Sequence, residues 1–280
     1  MNCRKSKGEL IGRPQCCNLF RKSKIITAIV YLPLIMKNSP SPDFDVDHAC
    51  ETCPVRNHAI CSVLGHQGSH ALSDIMHHKH YGRGETLWAD MDEAHVIAIV
   101  VRGTLKLYKV TADGRQQVVG LLFPSDCVGR PYSEEQLTYA EAVNDVEICC
   151  FPRQKFEHVL KQYPELEHEL FERTMNDLER ARDWMLALGR MKAIERIASF
   201  ISEVEAKTNL IKCVHNNPPP SRQLIKLPLS RSEIADCLGL TTETVSRNIT
   251  TLKVTGVIKL VDPHVIEICD PDALAKFANP

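Results

Sequence analysis

The chain has 280 residues, of which 44% are hydrophobic and 25% charged, and its formal net charge is −1. These values are typical of a soluble globular protein with room for two domains, and they exclude a disordered or strongly basic chain. Any surface that binds nucleic acid must therefore be local. The twelve cysteines are scattered through a long chain, unlike the even spacing of small secreted disulfide scaffolds, and they predict a reducing, cytoplasmic environment.

The first 47 residues show no pattern of a folded unit. The basic RKSK at 21–24 and the apolar run at 25–36 imitate a signal peptide, but no small-residue cleavage site follows. The apolar run is also too short to span a bilayer, so no membrane association is predicted. Residues 37–47 are rich in Pro and Ser. We therefore expect residues 1–47 to be a disordered extension and linker, in which three cysteines have no assigned role: Cys3, Cys16 and Cys17.

The next segment has the pattern of a small β-domain. A short helix is predicted over about 68–78, which would make the HHKH run at 77–80 a solvated helix end. Runs rich in Val, Ile, Leu and Tyr then follow one another, with a strong hairpin signal in the Asp-Gly pair at 113–114. The last run, ICCF, stops at Pro152. Short strands with closely spaced turns predict a β-barrel or jelly roll within residues 48–163.

A long helix is predicted after this β-domain, over about 165–189 within a segment at 164–190. Pro164 suits the first helical turn, and residues of one face recur at alternating steps of three and four with charged residues between them. This heptad pattern favours pairing with a second copy of the chain, and a helix that lies on its own barrel is the alternative. The predicted dimer residues are Phe171, Thr174, Leu178, Ala181, Met185 and Leu188.

The most specific motif lies near the C-terminus, in LPLSRSEIADCLGLTTETVSRNITTLKVTGVI. Ser230 and Glu233 form a capping box that begins a helix, and Gly239 suits the tight turn of a helix-turn-helix. Between positions 222 and 259 six basic residues stand against three acidic ones. A plain helical hairpin is the alternative to a DNA-binding unit. Four side chains near the start of the second helix would reach into the major groove: Thr242, Glu243, Ser246 and Arg247.

The remaining C-terminal pattern completes a winged helix-turn-helix over residues 191–280. A separate amphipathic helix is predicted at 191–207 beyond a break at Gly189, and the proline-rich stretch at 215–223 can only be a loop. A hairpin that turns at Asp262-Pro263 gives the wing. Because a dimer helix precedes this unit, we expect a two-fold symmetric site on double-stranded DNA.

The stretch CETCPVRNHAIC holds Cys50, Cys53 and Cys61 and leaves several kinds of site open. A c-type haem requires histidine directly after the second cysteine, where this chain has Pro54, and a disulfide conflicts with a reducing compartment. Zinc would need a fourth ligand such as a nearby histidine, and a [4Fe–4S] cluster would need a fourth thiolate from elsewhere. The candidates for that thiolate are Cys127, Cys149 and Cys150, of which the last two point to opposite faces of one strand.

A small β-barrel, a long dimer helix and a winged helix occur in this order in the Crp/Fnr family of transcription regulators. The chain resembles that family from about Cys50 to its end, and ETVSR at 243–247 resembles the recognition-helix motif of FNR-type members. The resemblance implies an α+β fold with a cyclic-nucleotide-binding-like β-barrel. It also implies an oxygen-responsive activator that binds a palindromic FNR-box-like site as a homodimer and contacts RNA polymerase.

The same resemblance implies the ligand set and the cofactor. FNR-type proteins take their distal ligand from the last barrel strand, and Cys149 falls on that place, so a [4Fe–4S] cluster would be held by Cys50, Cys53, Cys61 and Cys149. Gln136 and Leu137 replace the Arg-Ser pair with which cyclic-nucleotide-binding members hold the phosphate, so no cyclic nucleotide is expected. No nucleophile–base pair or phosphate-binding glycine loop indicates an enzyme. The alternative is a Crp/Fnr regulator without a cluster, whose cysteines are structural, zinc-bound or thiol-sensing.

Overall fold

The structure is a computed structural model that describes Cys50 and residues 52–214 and 223–278. The predicted extension at 1–47, with its three cysteines, and nearly all of the predicted loop at 215–223 lie outside the described residues. Among the described residues, no helix is long and apolar enough to cross a membrane.

The N-terminal domain is built from two four-stranded sheets that share one core. A 3₁₀ turn at Ile60–Val63 and helix α1, His66–Ser73, precede the strands. The strands are β1 His77–Tyr81, β2 Thr86–Trp88, β3 Val96–Arg102, β4 Leu105–Val110, β5 Gln116–Leu122, β6 Cys127–Val128, β7 Tyr139–Ala142 and β8 Val146–Pro152. They pair in the orders β1-β8-β3-β6 and β2-β7-β4-β5, the double-sheet arrangement of a jelly roll.

Two local predictions for this domain have opposite outcomes. The Asp-Gly hairpin is confirmed, because Gly114 adopts a φ of +85° and the Thr111 amide donates to the Arg115 carbonyl across the turn. The interpretation of the HHKH run as a helix end is wrong. Residues 77–80 belong to strand β1, and His77 and His78 pair with β8 while their side chains stay exposed. This pairing joins segments about seventy residues apart, which local patterns do not reveal.

Helix α2, Arg153–Gln162, leads into the long helix α3, Pro164–Arg190. Pro164 occupies the first turn, where a missing amide proton leaves no bond unmade. The helix runs past Gly189 and ends where Met191 becomes extended, so the break lies two residues later than the sequence indicates. Its N-terminal turns are anchored by Leu166, which is fully buried with α2.

The C-terminal domain is a winged helix-turn-helix. Its elements are α4 Ala193–Val214, β9 Gln223–Lys226, α5 Arg231–Leu238, α6 Thr242–Val254, β10 Ile258–Leu260, β11 Val265–Ile268 and α7 Pro271–Ala278. Ser230 and Glu233 form the predicted capping box, and Gly239 ends α5 in the left-handed conformation that L-residues rarely adopt. The wing strands β10 and β11 are joined by a third strand, β9, that pairs with β11.

The two domains are in direct contact through α5 and the sheet that contains β4 and β5. Tyr108 and Val118 of that sheet belong to the same apolar core as Ile234 and Leu238 of α5. The Gln117 side-chain amide donates to the Cys237 carbonyl at 2.9 Å. The helix-turn-helix is therefore docked on the β-domain through its first helix, which leaves α6 to face outward.

Candidate functional site

The cysteine loop is folded onto the β-domain by its apolar residues. Val55, Ala59 and Ile60 are buried in one cluster with α1, β3, β8 and the start of α3. Tight turns shape the loop, since the amides of His58 and Ala59 donate to the Val55 carbonyl at 3.0 and 2.8 Å. These turns bring the half-buried thiols of the loop against the same cluster: Cys50, Cys53 and Cys61.

Cys149 faces the loop and Cys150 faces away from it. Both lie on β8, which is hydrogen-bonded on one side to β1 and on the other to β3, so its orientation is fixed. Cys149 and Phe151 pack in the cluster beneath the loop, whereas Ile148 and Cys150 pack in the core between the two sheets. The structure therefore brings Cys149 together with the three loop cysteines.

The four thiols line one small cavity with predominantly apolar walls, which include Leu72, Ile99 and Phe151. Burial raises the pKa of every one of these thiols, to about 12 for Cys61, and the other cysteines of the group add to the effect for Cys149. Such thiols stay protonated and inert unless a metal centre displaces their protons. All eight cysteines of which the side chain is described are free.

Arg56 is a component of this site that sequence reasoning missed. Its guanidinium lines the cavity and donates to the Ser69 hydroxyl at 3.0 Å and to the Cys50 carbonyl at 3.5 Å. Its charge opposes the burial that raises the pKa of Cys50 and Cys61. A cation between the second and third cysteines of the loop was the available signal, because a set of thiolates needs a compensating charge.

The four cysteines line the same cavity. Across the described part of the chain, no group of three or more His, Cys, Asp or Glu side chains is arranged to hold a metal ion. In a cubane cluster each thiolate binds a different iron, so the ligands of a cluster surround a larger object than those of one ion. The donor set of four thiols is the one that a [4Fe–4S] cluster requires.

Cys127 packs against the same apolar cluster but lines a different cavity from the four thiols. It begins β6 and lines a larger cavity between the β-domain and α3. Burial raises the pKa of Cys127 to about 12, and the nearby charge of Arg173 opposes that rise. Of the four-cysteine group, Cys61 also raises the pKa of Cys127.

The larger cavity is lined by part of the stretch 129–142, which by the family resemblance corresponds to the segment that holds a cyclic nucleotide. Gln136 is buried at its wall, and Leu137 is exposed. Three cations of the lining already pair with carboxylates: Arg173 with Glu169, Arg180 with Asp177 and Lys207 with Asp126. These pairs compete with any bound phosphate.

Helix α3 exposes an apolar stripe. Phe171, Leu178 and Met185 are 61%, 41% and 64% exposed, and Met175, which the sequence prediction passed over, extends the stripe. Thr174 and Ala181 are exposed along its edge. Leu188 is half-buried, and a β-carbon added at Gly239 of the helix-turn-helix would lie 3.7 Å from its Cδ2.

The second helix of the helix-turn-helix, α6, presents its N-terminal half to solvent. All four predicted DNA-binding side chains are exposed, and Arg247 and Glu243 form a loose pair at 3.8 Å. Val245 and Ile249 are buried on the opposite face. Because Thr241 caps the helix by accepting a hydrogen bond from the Thr244 amide, the conformation of the first turn is fixed.

Comparison with known proteins agrees with this architecture. Residues 195–277 match the Crp-like helix-turn-helix domain, and residues 78–163 match the cyclic nucleotide-binding domain. The chain is 38% identical to the transcriptional activator protein FnrL of Cereibacter sphaeroides over 223 residues, which cover 80% of this chain and 89% of FnrL. It is 33% identical over 227 residues to the nitrogen fixation regulation protein FixK of Bradyrhizobium diazoefficiens, covering 79% of this chain and 93% of that relative.

A solved structure shows the same fold. The structure of FixK2 from Bradyrhizobium japonicum superposes with a TM-score of 0.66 at 27% identity, covering 74% of this chain and 98% of FixK2. The predicted fold class is therefore confirmed, with the helix-turn-helix placed as the sequence indicated. The chain belongs to the Crp/Fnr family of transcription regulators, which bind DNA, and it is not an enzyme.

Proposed function

We propose that this protein is an oxygen-responsive transcriptional activator whose four cysteines Cys50, Cys53, Cys61 and Cys149 hold a [4Fe–4S] cluster. The observation that carries the proposal is the orientation of β8, which directs Cys149 into the cavity of the loop thiols and Cys150 into the opposite core. Similarity to FnrL, named as a transcriptional activator, supports the assignment to gene activation.

The residues around the cavity suit such a cluster. Four thiolates would bind it, Arg56 would compensate part of their negative charge, and Leu72 and Phe151 would keep water away. Bound there, the cluster would supply an oxygen-labile cross-link between the loop and β8. The loop itself transmits the change, because its 3₁₀ turn at Ile60–Val63 packs directly on α3.

Helix α3 is the element that responds. Its exposed stripe of Phe171, Met175, Leu178 and Met185 would pair with the same stripe of a second copy. A marginal dimer needs a change of only a few kcal/mol to shift from mostly monomer to mostly dimer, which is within reach of a rearranged loop. A dimer would present two α6 helices to a palindromic, FNR-box-like DNA site, and the bound activator would contact RNA polymerase.

The test is an anaerobic purification followed by an absorption spectrum before and after air is admitted. We expect brown protein with about four irons and four sulfides per chain, since a cubane carries four of each. Air should bleach the colour. Colourless protein with one zinc per chain would refute the proposal.

Two matched variants test the ligand set. Cys149→Ser should abolish the cluster, because serine at this position removes the thiolate from β8. Cys150→Ser changes the neighbouring buried thiol in the same strand and should retain all four irons. The reverse result would mean that the other face of β8 holds the cluster.

A further inference from the structure

Arg173 joins three elements that are far apart in the sequence. Its Nη2 donates to the His58 carbonyl of the cysteine loop at 2.7 Å, and its Nε donates to Glu169 of its own helix at 2.7 Å. Its Nη1 donates to the Ser125 carbonyl, in the turn between β5 and β6, at 3.4 Å. We propose that Arg173 is the positioning residue that transmits the state of the cysteine loop to helix α3 and to the turn beneath it.

The acceptor in the loop is placed where the loop is most sensitive to its cysteines. His58 lies five residues after Cys53 and three before Cys61, so a metal centre that held both thiols would further constrain the position of its peptide. The carbonyl belongs to the backbone, and Arg173 therefore senses the path of the chain and not the identity of a side chain. In this respect the inference rests on the proposed function, which supplies the event that holds or releases the thiols.

Arginine suits this position because its planar guanidinium carries donors in several fixed directions. The side chain of Arg173 is 28% exposed and that of Glu169 22%, so the group is partly shielded from water. Glu169 holds the charge on α3 while the fork reaches both carbonyls. A lysine could retain the pair with Glu169 but could not span both carbonyls with the same geometry.

The turn that receives the third bond also contacts the DNA-binding domain. Ser125 is buried with a φ of +80°, a conformation that is uncommon for residues other than glycine. Its neighbour Asp126 accepts from the Phe123 amide at 2.9 Å and binds the ammonium of Lys207, on α4, at 3.0 Å. A movement of the loop at His58 would therefore alter the hydrogen bonds of Arg173 on α3. Through the turn at Ser125 and Asp126 it would also alter the contact with Lys207 on α4.

The test compares Arg173→Met, Arg173→Lys and a control, Arg115→Met. Arg115 pairs only with Asp113 within its hairpin among the contacts described, and its side chain is 80% exposed. The dimer dissociation constant is measured anaerobically by sedimentation equilibrium for the reconstituted and the cluster-free form of each variant. The ratio of the two constants reports coupling, which a merely structural role of Arg173 would leave unchanged.

We expect Arg173→Met to keep its iron and sulfide. The ratio of its two dimer dissociation constants should be at least about tenfold smaller than the ratio in the wild type, because a factor of this size is typical of coupling between sites. Arg173→Lys should restore part of the ratio, and Arg115→Met should match the wild type. An Arg173→Met variant that binds the cluster and keeps the wild-type ratio would overturn the inference and leave the proposed function intact.

Hydrogen exchange of the cluster-free protein separates the two proposals. Arg173→Met should accelerate exchange at least about tenfold in the loop at 58–61 and in the turn at 123–126, because both lose a bond to the guanidinium. If the wild type takes up no iron, the proposed function fails, and this measurement still decides whether Arg173 couples the loop to the turn. Unchanged exchange in both segments would refute the coupling.

Discussion

Replacing Lys106 by methionine should weaken the joint between the two domains. The Lys106 ammonium lies 2.8 Å from Glu141 in its own domain and 3.3 Å from Glu233, the capping residue of α5. Its side chain is 8% exposed, and each of the two glutamates is 19% exposed. Methionine preserves most of the apolar stem but leaves two carboxylates facing each other without their cation.

The magnitude follows from this burial. Breaking a fully buried pair by removing one member costs about 3–5 kcal/mol, because the remaining charge is uncompensated. Here both carboxylates keep some contact with water, and Arg83 remains 3.5 Å from Glu233. We therefore expect a loss of roughly 2–3 kcal/mol in the free energy of unfolding at neutral pH.

Urea titrations followed by tryptophan fluorescence measure this loss, and Lys109→Met is the matched control. Lys109 lies on the same strand but is exposed, so its replacement should change stability by no more than about 0.5 kcal/mol. If Lys106→Met were no less stable than Lys109→Met, the buried triad would not hold the domains together.

The pH dependence of the difference in unfolding free energy between the wild type and Lys106→Met gives an independent check. Burial opposes the charge of Lys106, but Glu141 and Glu233 outweigh it and raise its pKa above 10.5. Burial also opposes the charge of Glu233, but bonds from Ser230 and the charge of Lys106 lower its pKa below 4.5. The stabilisation from Lys106 is present below pH 10.5 and is lost as pH rises through its raised pKa. That from Glu233 is present above pH 4.5 and is lost as pH falls through its lowered pKa.

Two further predictions concern DNA and the dimer. Arg247→Ala should cost about 1–3 kcal/mol in specific binding if its guanidinium reads a guanine, whereas Lys253→Ala, at the far end of the same helix, should weaken all sequences alike. Fluorescence anisotropy with specific and scrambled duplexes measures both, and equal losses on the two duplexes for Arg247→Ala would contradict base reading. Leu178→Glu should place a charge in the exposed stripe of α3 and raise the dimer dissociation constant by at least about tenfold, measured by sedimentation equilibrium. An unchanged constant would show that the stripe is not the dimer surface.

Features that depend on neighbours in the chain could be predicted from the sequence. The capping box joins residues three apart, and the hairpin at 113–114 needs only a glycine at positive φ, so both could be predicted from a few neighbouring residues. The structure confirms both. The helix-turn-helix was found in the same way, from Gly239 at its turn and Val245 at its buried contact. Local hydrogen bonds and turn conformations determine these elements, and a short window of sequence contains them.

Features that depend on long-range pairing were decided by the tertiary structure. Alternation along a strand shows that Cys149 and Cys150 point in opposite directions, and the family resemblance favours Cys149, but the strand pattern does not say which of the two faces the loop. The packing of the loop against one face of β8 puts Cys149 on the loop side. Pairing with the same strand, β8, makes the HHKH run a strand, β1, where the sequence pattern predicts a helix end. The hydrogen bond from Arg173 to the His58 carbonyl spans 115 positions of the sequence. The sequence by itself determined the family, the order of the elements and three thiols of the candidate site. Cys149 as the fourth thiol was an expectation from the family resemblance, whereas the cation beside the thiols and the link to α3 required the fold, because they are contacts between segments that only folding brings together.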